Sequence, residues 1–285
     1  MMSYNESYTL SNGVEIPALG LGTWFIDDDK AAQAVRDAVS AGYRNIDTAQ
    51  AYGNERGVGE GVRTSSVARG DLFVSTKLAA EVKDYDGAVA AIDQSLETMG
   101  LDYIDLMLIH SPQPWDDFRG GDYAEGNREA WRALEEAYKA GKLRSIGVSN
   151  FREDDLDNIL ENGSVAPHVN QILVHAGNTP SELIDYCASK NIVVEAYSPI
   201  AHGEILGNEN VAAMAARYGV SVPQLCIRYT LQLGAVSLPK TANPEHMRSN
   251  AAVEFEISAE DMEVLRNLDE KDYGESSAFP VYSGK

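Results

Sequence analysis

The chain lacks what several common protein classes are built from. No stretch of about 18 apolar residues runs uninterrupted through its 285 positions, so no membrane-spanning helix is expected. Cysteine occurs only at Cys187 and Cys226, a spacing that matches no metal or redox motif and suits a reduced, cytoplasmic protein. His-Glu-x-x-His and Cys-x-x-Cys are both missing, so no metal cage is expected. Cations are scarce: 23 Lys and Arg against 44 Asp and Glu give a net charge of −21. Nucleic acid needs a basic surface and is therefore not expected as a partner. Repulsion of this size also slows anionic ligands, so any such ligand needs a local cationic pocket. The opening MMSYNESYTL has neither a basic start nor an apolar run and does not read as a signal peptide. A full phosphate-binding glycine fingerprint is absent as well. Gly20-Leu-Gly22-Thr-Trp24 holds half of one, and Gly57-Val-Gly59-Glu-Gly61 falls within or near a helix rather than after a strand.

What is present is a regular alternation. Segments 19–22, 45–47, 72–76, 105–109, 145–148, 169–173, 193–197 and 235–238 read as short strands, continuous in apolar character as parallel strands buried on both faces are. Between them lie amphipathic stretches: Val89, Ile92, Leu96 and Met99 recur at helical spacing in 84–99, as do Trp131, Leu134 and Tyr138 in 129–140. Thr179-Pro180-Ser181-Glu182 resembles a capping box with Pro at the first helical position, and Gly100, Gly141 and Gly219 stand where helices should stop. Repeated strand-then-helix units predict an α/β protein, a (β/α)₈ TIM barrel over a single domain, 1–285. A doubly wound sheet is the rival. Asn12-Gly13 between short apolar runs predicts an N-terminal hairpin that caps the barrel bottom. An extra C-terminal helix is expected over 258–268, with Met262, Leu265 and Leu268 inward, followed by a polar tail, 269–285.

In such a barrel the site lies at the carboxyl ends of the strands. Asp47 ends the second strand, Tyr52 follows in its loop, Lys77 ends the third and His110 the fourth. Adjacent strands lie about 4.8 Å apart, so the four groups can share one small volume. A free tyrosine, with a pKa near ~10, is a poor acid at neutral pH; a lysine ammonium beside it is expected to lower that value. With Asp47 holding Lys77 and His110 orienting a carbonyl oxygen, the set would deliver a proton to that oxygen. Each residue also has a plain structural reading: Asp47 and Lys77 as an ion pair tying two strands, Tyr52 as a rim aromatic, His110 as a core-edge histidine.

Further segments carry a family resemblance: Gly20-Leu-Gly-Thr-Trp24, Tyr43-Arg-Asn-Ile-Asp-Thr-Ala49 with Tyr52-Gly-Asn-Glu55, Ser75-Thr-Lys77, Leu108-Ile-His110 with Pro112, Gly147-Val-Ser-Asn-Phe151, Asn170-Gln171, Ala196-Tyr-Ser-Pro199 and Leu238-Pro-Lys-Thr241. Over essentially its whole length the chain resembles the aldo-keto reductases, most of all the prokaryotic branch that includes 2,5-diketogluconate and glyoxal-type reductases. The resemblance implies NADPH-dependent reduction of aldehydes, ketones, dicarbonyls or keto sugars to alcohols by a monomer. Asp47, Tyr52, Lys77 and His110 match the catalytic tetrad, with Tyr52 as general acid. Ser149, Asn150 and Gln171 match the groups on the nicotinamide carboxamide, and Tyr197 the aromatic stacked on its ring. Ser198, Pro199 and Ile200 match the segment beside the pyrophosphate, Thr23 and Trp24 the cofactor and substrate edge, and Lys240 and Thr241 the pair at the adenosine 2′-phosphate.

Departures from the pattern bear on cofactor and substrate. The arginine that clamps the 2′-phosphate falls on His246, with Arg248 two residues on, which admits NADH beside NADPH. The adenine-contacting pair reads Ser249-Asn250. Ser111 stands where many members have Trp, which widens the pocket mouth or hands the wall to Trp115. Trp24, Tyr52, His110, Trp115 and Phe279 are the expected substrate contacts, Phe279 serving equally well as a core plug. A short 201–208 loop predicts an open site. A non-catalytic NADP(H)-binding regulatory subunit is the alternative, against which all four tetrad positions are filled.

Overall fold

The computed structural model describes residues 6–269 and 271–283. The expectations for residues 1–5 and for the last two residues of the tail lie outside them. The chain opens with an antiparallel hairpin, β1 (Ser7–Thr9) and β2 (Glu15–Pro17), turned at Gly13 with φ +84°. Eight parallel strands follow: β3 (Gly20–Gly22), β4 (Asn45–Asp47), β5 (Phe73–Leu78), β6 (Ile104–Ile109), β7 (Leu143–Ser149), β8 (Val169–Leu173), β9 (Val193–Tyr197) and β10 (Val236–Leu238), each bonded to the next. Helices α1 (Asp28–Ser40), α2 (Glu55–Arg63), α3 (Tyr85–Met99), α4 (Ala124–Lys139), α5 (Glu153–Asn162), α6 (Ser181–Ser189), α7 (Glu209–Tyr218) and α8 (Val222–Gln232) fill the connections, and α9 (Pro244–Ala251) and α10 (Ala259–Arg266) follow the last strand. The (β/α)₈ barrel closes between β3 and β10 through isolated bridges, Leu19 with Ser237 and Gly22 with Lys240. A Cβ on Gly20 would lie 2.6 Å from Leu238 Cδ2 and 2.9 Å from Asn45 Cγ, so those side chains would have to shift to admit one at this seam.

Strand parity sorts the side chains. On β5, Phe73, Ser75 and Lys77 share the inward face; on β8, Val169 and Gln171 share it; on β9, so do Val193, Glu195 and Tyr197. The inner foot is apolar. Phe73, Leu106, Leu108, Val169, Val236 and Leu238 pack there with Leu10 and Ile16 of the hairpin, which plugs the bottom as expected. Outward-facing residues such as Leu21, Ile46, Val74, Met107 and Ile146 pack under the helices. The inner mouth is polar, and this is the level at which the site forms.

Local features differ from the sequence expectations at α6 and in the tail. Pro180 caps α6 rather than opening it, and no capping box forms: Thr179 Oγ1 is engaged with the Tyr229 hydroxyl at 2.7 Å instead. Glycines 57, 59 and 61 mark a packing face on α2: Cβ atoms there would overlap the Asp28 carbonyl, the Met99 backbone and Val35, so the backbones of α1, α2 and α3 meet closely. The tail is not simply polar. It forms a turn at Gly274–Ala278 and another at Pro280–Ser283, and buries Tyr273 and Tyr282 in a cluster with Ala201, Ile205 and Tyr229. Helix α10 does bury Met262 and Leu265, with Leu268 packed alongside.

Candidate active site

Tyr52 sits at the end of a short 3₁₀ turn, Gln50–Tyr52, closed by Gly53 at φ +67°. Residues on either side pin this turn. Gln50 donates to the Ala91 carbonyl and Ser95 and accepts from the Ala79 N–H. Asn54 accepts from Thr48 Oγ1 at 2.7 Å and donates to the carbonyls of Thr23 and Ile26, tying the loops after β3 and β4 together. Thr23 in turn donates through Oγ1 to the Asp47 carbonyl. The ring of Tyr52 therefore arrives over the strand ends in a fixed pose.

Beneath it, Lys77 Nζ lies 2.7 Å from both Asp47 oxygens and 2.8 Å from the Thr48 carbonyl, so all three ammonium protons are used. The ammonium is 5.0 Å from the Tyr52 ring centroid. The His110 ring meets Tyr52 edge-on at 5.7 Å, and Trp115 meets His110 edge-on at 5.1 Å. The structure thus brings Asp47, Tyr52, Lys77 and His110 together. The expectation that Lys77 lowers the Tyr52 pKa is not what the geometry gives. Burial, and then the Asp47 charge, push it well above the ordinary tyrosine value. The reason is local: Asp47 already neutralises the ammonium and takes two of its protons. His110 is pushed the other way, well below the ordinary histidine value, by burial and then by the Lys77 and Lys83 charges, so its imidazole is neutral at physiological pH. Its Nδ1 has no hydrogen-bond partner among the described residues.

The expected cofactor groups adjoin this centre. Ser149 Oγ donates to the Gln171 carbonyl, Asn150 Nδ2 to the His110 carbonyl and Ser149 Oγ, and the Tyr197 hydroxyl to Asn150 Oδ1 at 2.7 Å. Asn150 and Ser198 adopt φ +62° and +50°, left-handed backbone that turns their side chains toward the rim. Ser198 Oγ meets the Tyr282 hydroxyl at 3.0 Å and His202 Nε2 at 3.2 Å, beside Pro199 and Ile200. Lys240 is exposed at the barrel seam next to Thr241, whose Oγ1 accepts from the Asn243 N–H. On α9, His246 and Ser249 are exposed while Asn250 is buried, so Asn250 faces the core.

The mouth is walled by Trp24, whose ring lies 4.4 Å from Phe25, 5.0 Å from Phe279 and 6.2 Å from Tyr282. Phe25 and Phe279 are among the few exposed large apolar side chains. The 201–208 segment packs against the wall of the mouth. It folds as a 3₁₀ turn with His202 at φ +56°, and the His202 ring meets Tyr282 at 4.6 Å and Trp24 at 5.5 Å. Ser111 is fully buried with Oγ accepting from the Gln113 N–H, so its hydroxyl belongs to its own loop, and Trp115 is the aromatic beside His110. Sequence reasoning missed Glu195, His202 and Tyr282. Glu195 shares strand parity with Tyr197 and could have been found by that count; His202 and Tyr282 depend on the tail folding back and leave no local signal. Among the described residues no cluster of three His, Cys, Asp or Glu could hold a metal ion.

Residues 18–270 match the Aldo/keto reductase family model. The chain belongs to the aldo/keto reductase family. It is 41% identical to a glyoxal reductase of Bacillus subtilis over 268 residues, covering 93% of this chain and 94% of that one. A solved aldo/keto reductase from Brucella melitensis superposes with a TM-score of 0.86 at 36% identity, covering 93% and 99% of the two chains. A Bombyx mori aldo-keto reductase solved in complex with NADP superposes with a TM-score of 0.85 at 32% identity over 99% of both. The aldo/keto reductase described here is thus an oxidoreductase, and no helix among its described residues is long and apolar enough to cross a membrane.

Proposed function

We propose that this enzyme reduces aldehydes and ketones, dicarbonyls and keto sugars among them, to alcohols, using NADPH, with Tyr52 as the proton donor. The observation that carries the reading is the convergence of Tyr52, His110, Lys77 and Asp47 at one rim of a family barrel. The residues present fit a nicotinamide dinucleotide: Ser149, Asn150 and Gln171 form a contiguous polar set beside Tyr197, and the exposed Lys240 stands by Thr241 for a phosphate. Bound there, NADPH supplies the hydride.

The chain's own residues do the rest. His110, neutral, can donate one hydrogen bond to a carbonyl oxygen and so orient it. Tyr52 keeps its proton throughout the physiological range and releases it as negative charge develops on that oxygen, because an alkoxide is a much stronger base than a phenolate. Lys77 and Asp47 hold the floor under Tyr52 as a neutral pair. Trp24, Trp115 and Phe279 supply apolar walls that admit a range of carbonyl substituents. His246 in place of a bidentate clamp weakens the choice of NADPH over NADH, with Lys240 and Thr241 keeping the preference.

The test is turnover of NADPH with a panel of dicarbonyls, sugar aldehydes and simple aldehydes. Near wild-type reduction by Tyr52→Phe would remove Tyr52 as the acid, and no change in NADPH fluorescence on mixing would remove the reductase reading. The same reading has the enzyme working in the cytoplasm as a monomer on small molecules, and size-exclusion chromatography at working concentration tests the monomer.

A further inference from the structure

Glu195 lies in the middle of β9, 0% exposed, on the inward face and below the mouth. It has no cation of its own. Its Oε2 accepts from Gln171 Nε2 at 2.9 Å, and the same nitrogen donates to Asp47 Oδ1 at 2.9 Å. Two carboxyl groups therefore share one amide, while the Lys77 ammonium is bonded to Asp47 and not to Glu195. Glu195 Oε1, Asn45 Oδ1 and Ser75 Oγ, all inward, have no hydrogen-bond partner among the described residues. A buried carboxyl in this position costs stability that an apolar residue would not, so its presence calls for a role.

That role follows from the amide it holds. Placed between two carboxyl groups, Gln171 must turn its nitrogen inward, since its oxygen there would face Asp47. Both amide protons are then committed, and the carbonyl end alone is left to meet a ligand. A carboxamide NH₂ suits that end; a group without N–H does not.

We propose that Glu195 is a positioning residue for this site: with Asp47 it fixes the Gln171 amide so that its oxygen selects a ligand bearing a carboxamide N–H, and its charge sets that of the barrel interior under Tyr52. The inference rests on the reductase reading. The charged groups facing Glu195 are Asp47 on β4 and Lys77 on β5; Asn45, Ser75 and Gln171 are its polar neighbours, and Val236 beside it on β10 is apolar. Burial first and the Asp47 charge second push its pKa up to about 7, against the pull of Gln171, Lys77 and Asn45. Below that value the mouth carries Asp47 and Lys77 alone and is neutral; above it the extra negative charge disfavours a phenolate, so reduction slows as pH rises through neutrality.

The experiment compares the full-length wild type with Glu195→Gln and Glu195→Asp. Binding is read from intrinsic fluorescence for NADPH and for its 3-acetylpyridine analogue, whose methyl ketone has no N–H to donate. The wild type should bind the analogue at least 10-fold more weakly, Glu195→Gln should reduce that ratio several-fold, and Glu195→Asp should recover part of it. The pH dependence of kcat for reduction should show a step near 7 in the wild type and none in Glu195→Gln. A discrimination ratio and pH profile unchanged in Glu195→Gln, even with a lowered melting temperature, would overturn the inference and leave the reductase reading standing. Should Glu195→Gln fail to fold, a wild type that binds both dinucleotides equally would overturn it alone. Failure of the wild type to bind NADPH at all would overturn both.

Discussion

Two charge clusters built on buried carboxyl groups sit at opposite ends of the barrel wall. At the foot, Asp105 faces outward from the start of β6 and meets Arg69 at 2.7 Å, Arg144 at 2.6 Å and the Val74 N–H at 3.0 Å. Both guanidiniums also lie over the Tyr103 ring, at 4.1 and 5.9 Å. At the mouth, Asp47 holds Lys77, and Asp47 and Glu195 share the Gln171 amide. One cluster has two cations for a carboxylate; the other has two carboxyl groups for a cation. The surplus of donors at the foot locks a charge in place and joins β5, β6 and β7. The deficit at the mouth leaves groups whose protonation responds to what stands beside them. Burial alone does not separate structural from functional charge; the local balance does.

The comparison can be broken by perturbing each end in turn. Tyr52→Phe has the largest expected effect: a fall of about 10²–10⁴ in kcat for carbonyl reduction, with a melting temperature nearly unchanged, since its hydroxyl supports no described contact. A melting shift as large as that of a core mutation would place Tyr52 in the fold rather than the chemistry. At the foot, Asp105→Asn should show the converse, losing about 2–4 kcal/mol in urea unfolding because two guanidiniums lose their partner, the partial exposure of both arginines keeping the cost below that of a sealed pair. Its kcat per folded molecule should stay within about two-fold of wild type.

A finer test uses stability against pH. The folded Glu195 pKa, about 7, is above the ordinary 4.5, so the folded state binds the proton more tightly than the unfolded chain. The wild type therefore loses stability as pH rises from the lower value to the upper and retains the loss beyond. Glu195→Gln should escape it, becoming more stable than wild type at pH 8 by on the order of 1–3 kcal/mol relative to their difference at pH 4.5. No such divergence would place Glu195 with Asp105 among fixed charges. The smallest effect belongs to the rim outside both clusters: His246→Arg should improve NADPH over NADH in kcat/KM by about 10-fold, through one charge-assisted contact.

Much of the wall was legible because its physics is local. Buried parallel strands are continuous in apolar residues, so all eight were found within a few residues of their ends, and Asp47, Lys77 and His110 stood out as polar groups at the point where apolar runs stop. Glu195 was hidden by the same rule, being one carboxylate inside Val193-Val-Glu-Ala-Tyr197, read as wall. The pull of Lys77 on Tyr52 was misjudged because its three protons are counted only once Thr48 and Asp47 are seen around it. Thr179 failed as a cap through a competing partner, Tyr229, that lies 50 residues away. The packing of His202 and Tyr282 against the wall of the mouth depends on tertiary contact between the 201–208 turn and the tail, which no periodicity announces.

The seam between β3 and β10 carries one further consequence. Every other neighbour pair in the barrel is joined by a ladder, while this one is held by isolated bridges, with Gly22 N–H donating to the Pro239 carbonyl and Ser237 N–H to that of Ala18. Thr23 and Trp24 lie on one side of it, Lys240 and Thr241 on the other. A wall with so few cross-links is where local opening costs least, so amide hydrogens at 18–22 and 236–240 should exchange sooner than those of β5 to β7. A dinucleotide held from Trp24 across to Lys240 would act as a clasp over that line, and slower exchange on both flanks at once would record it.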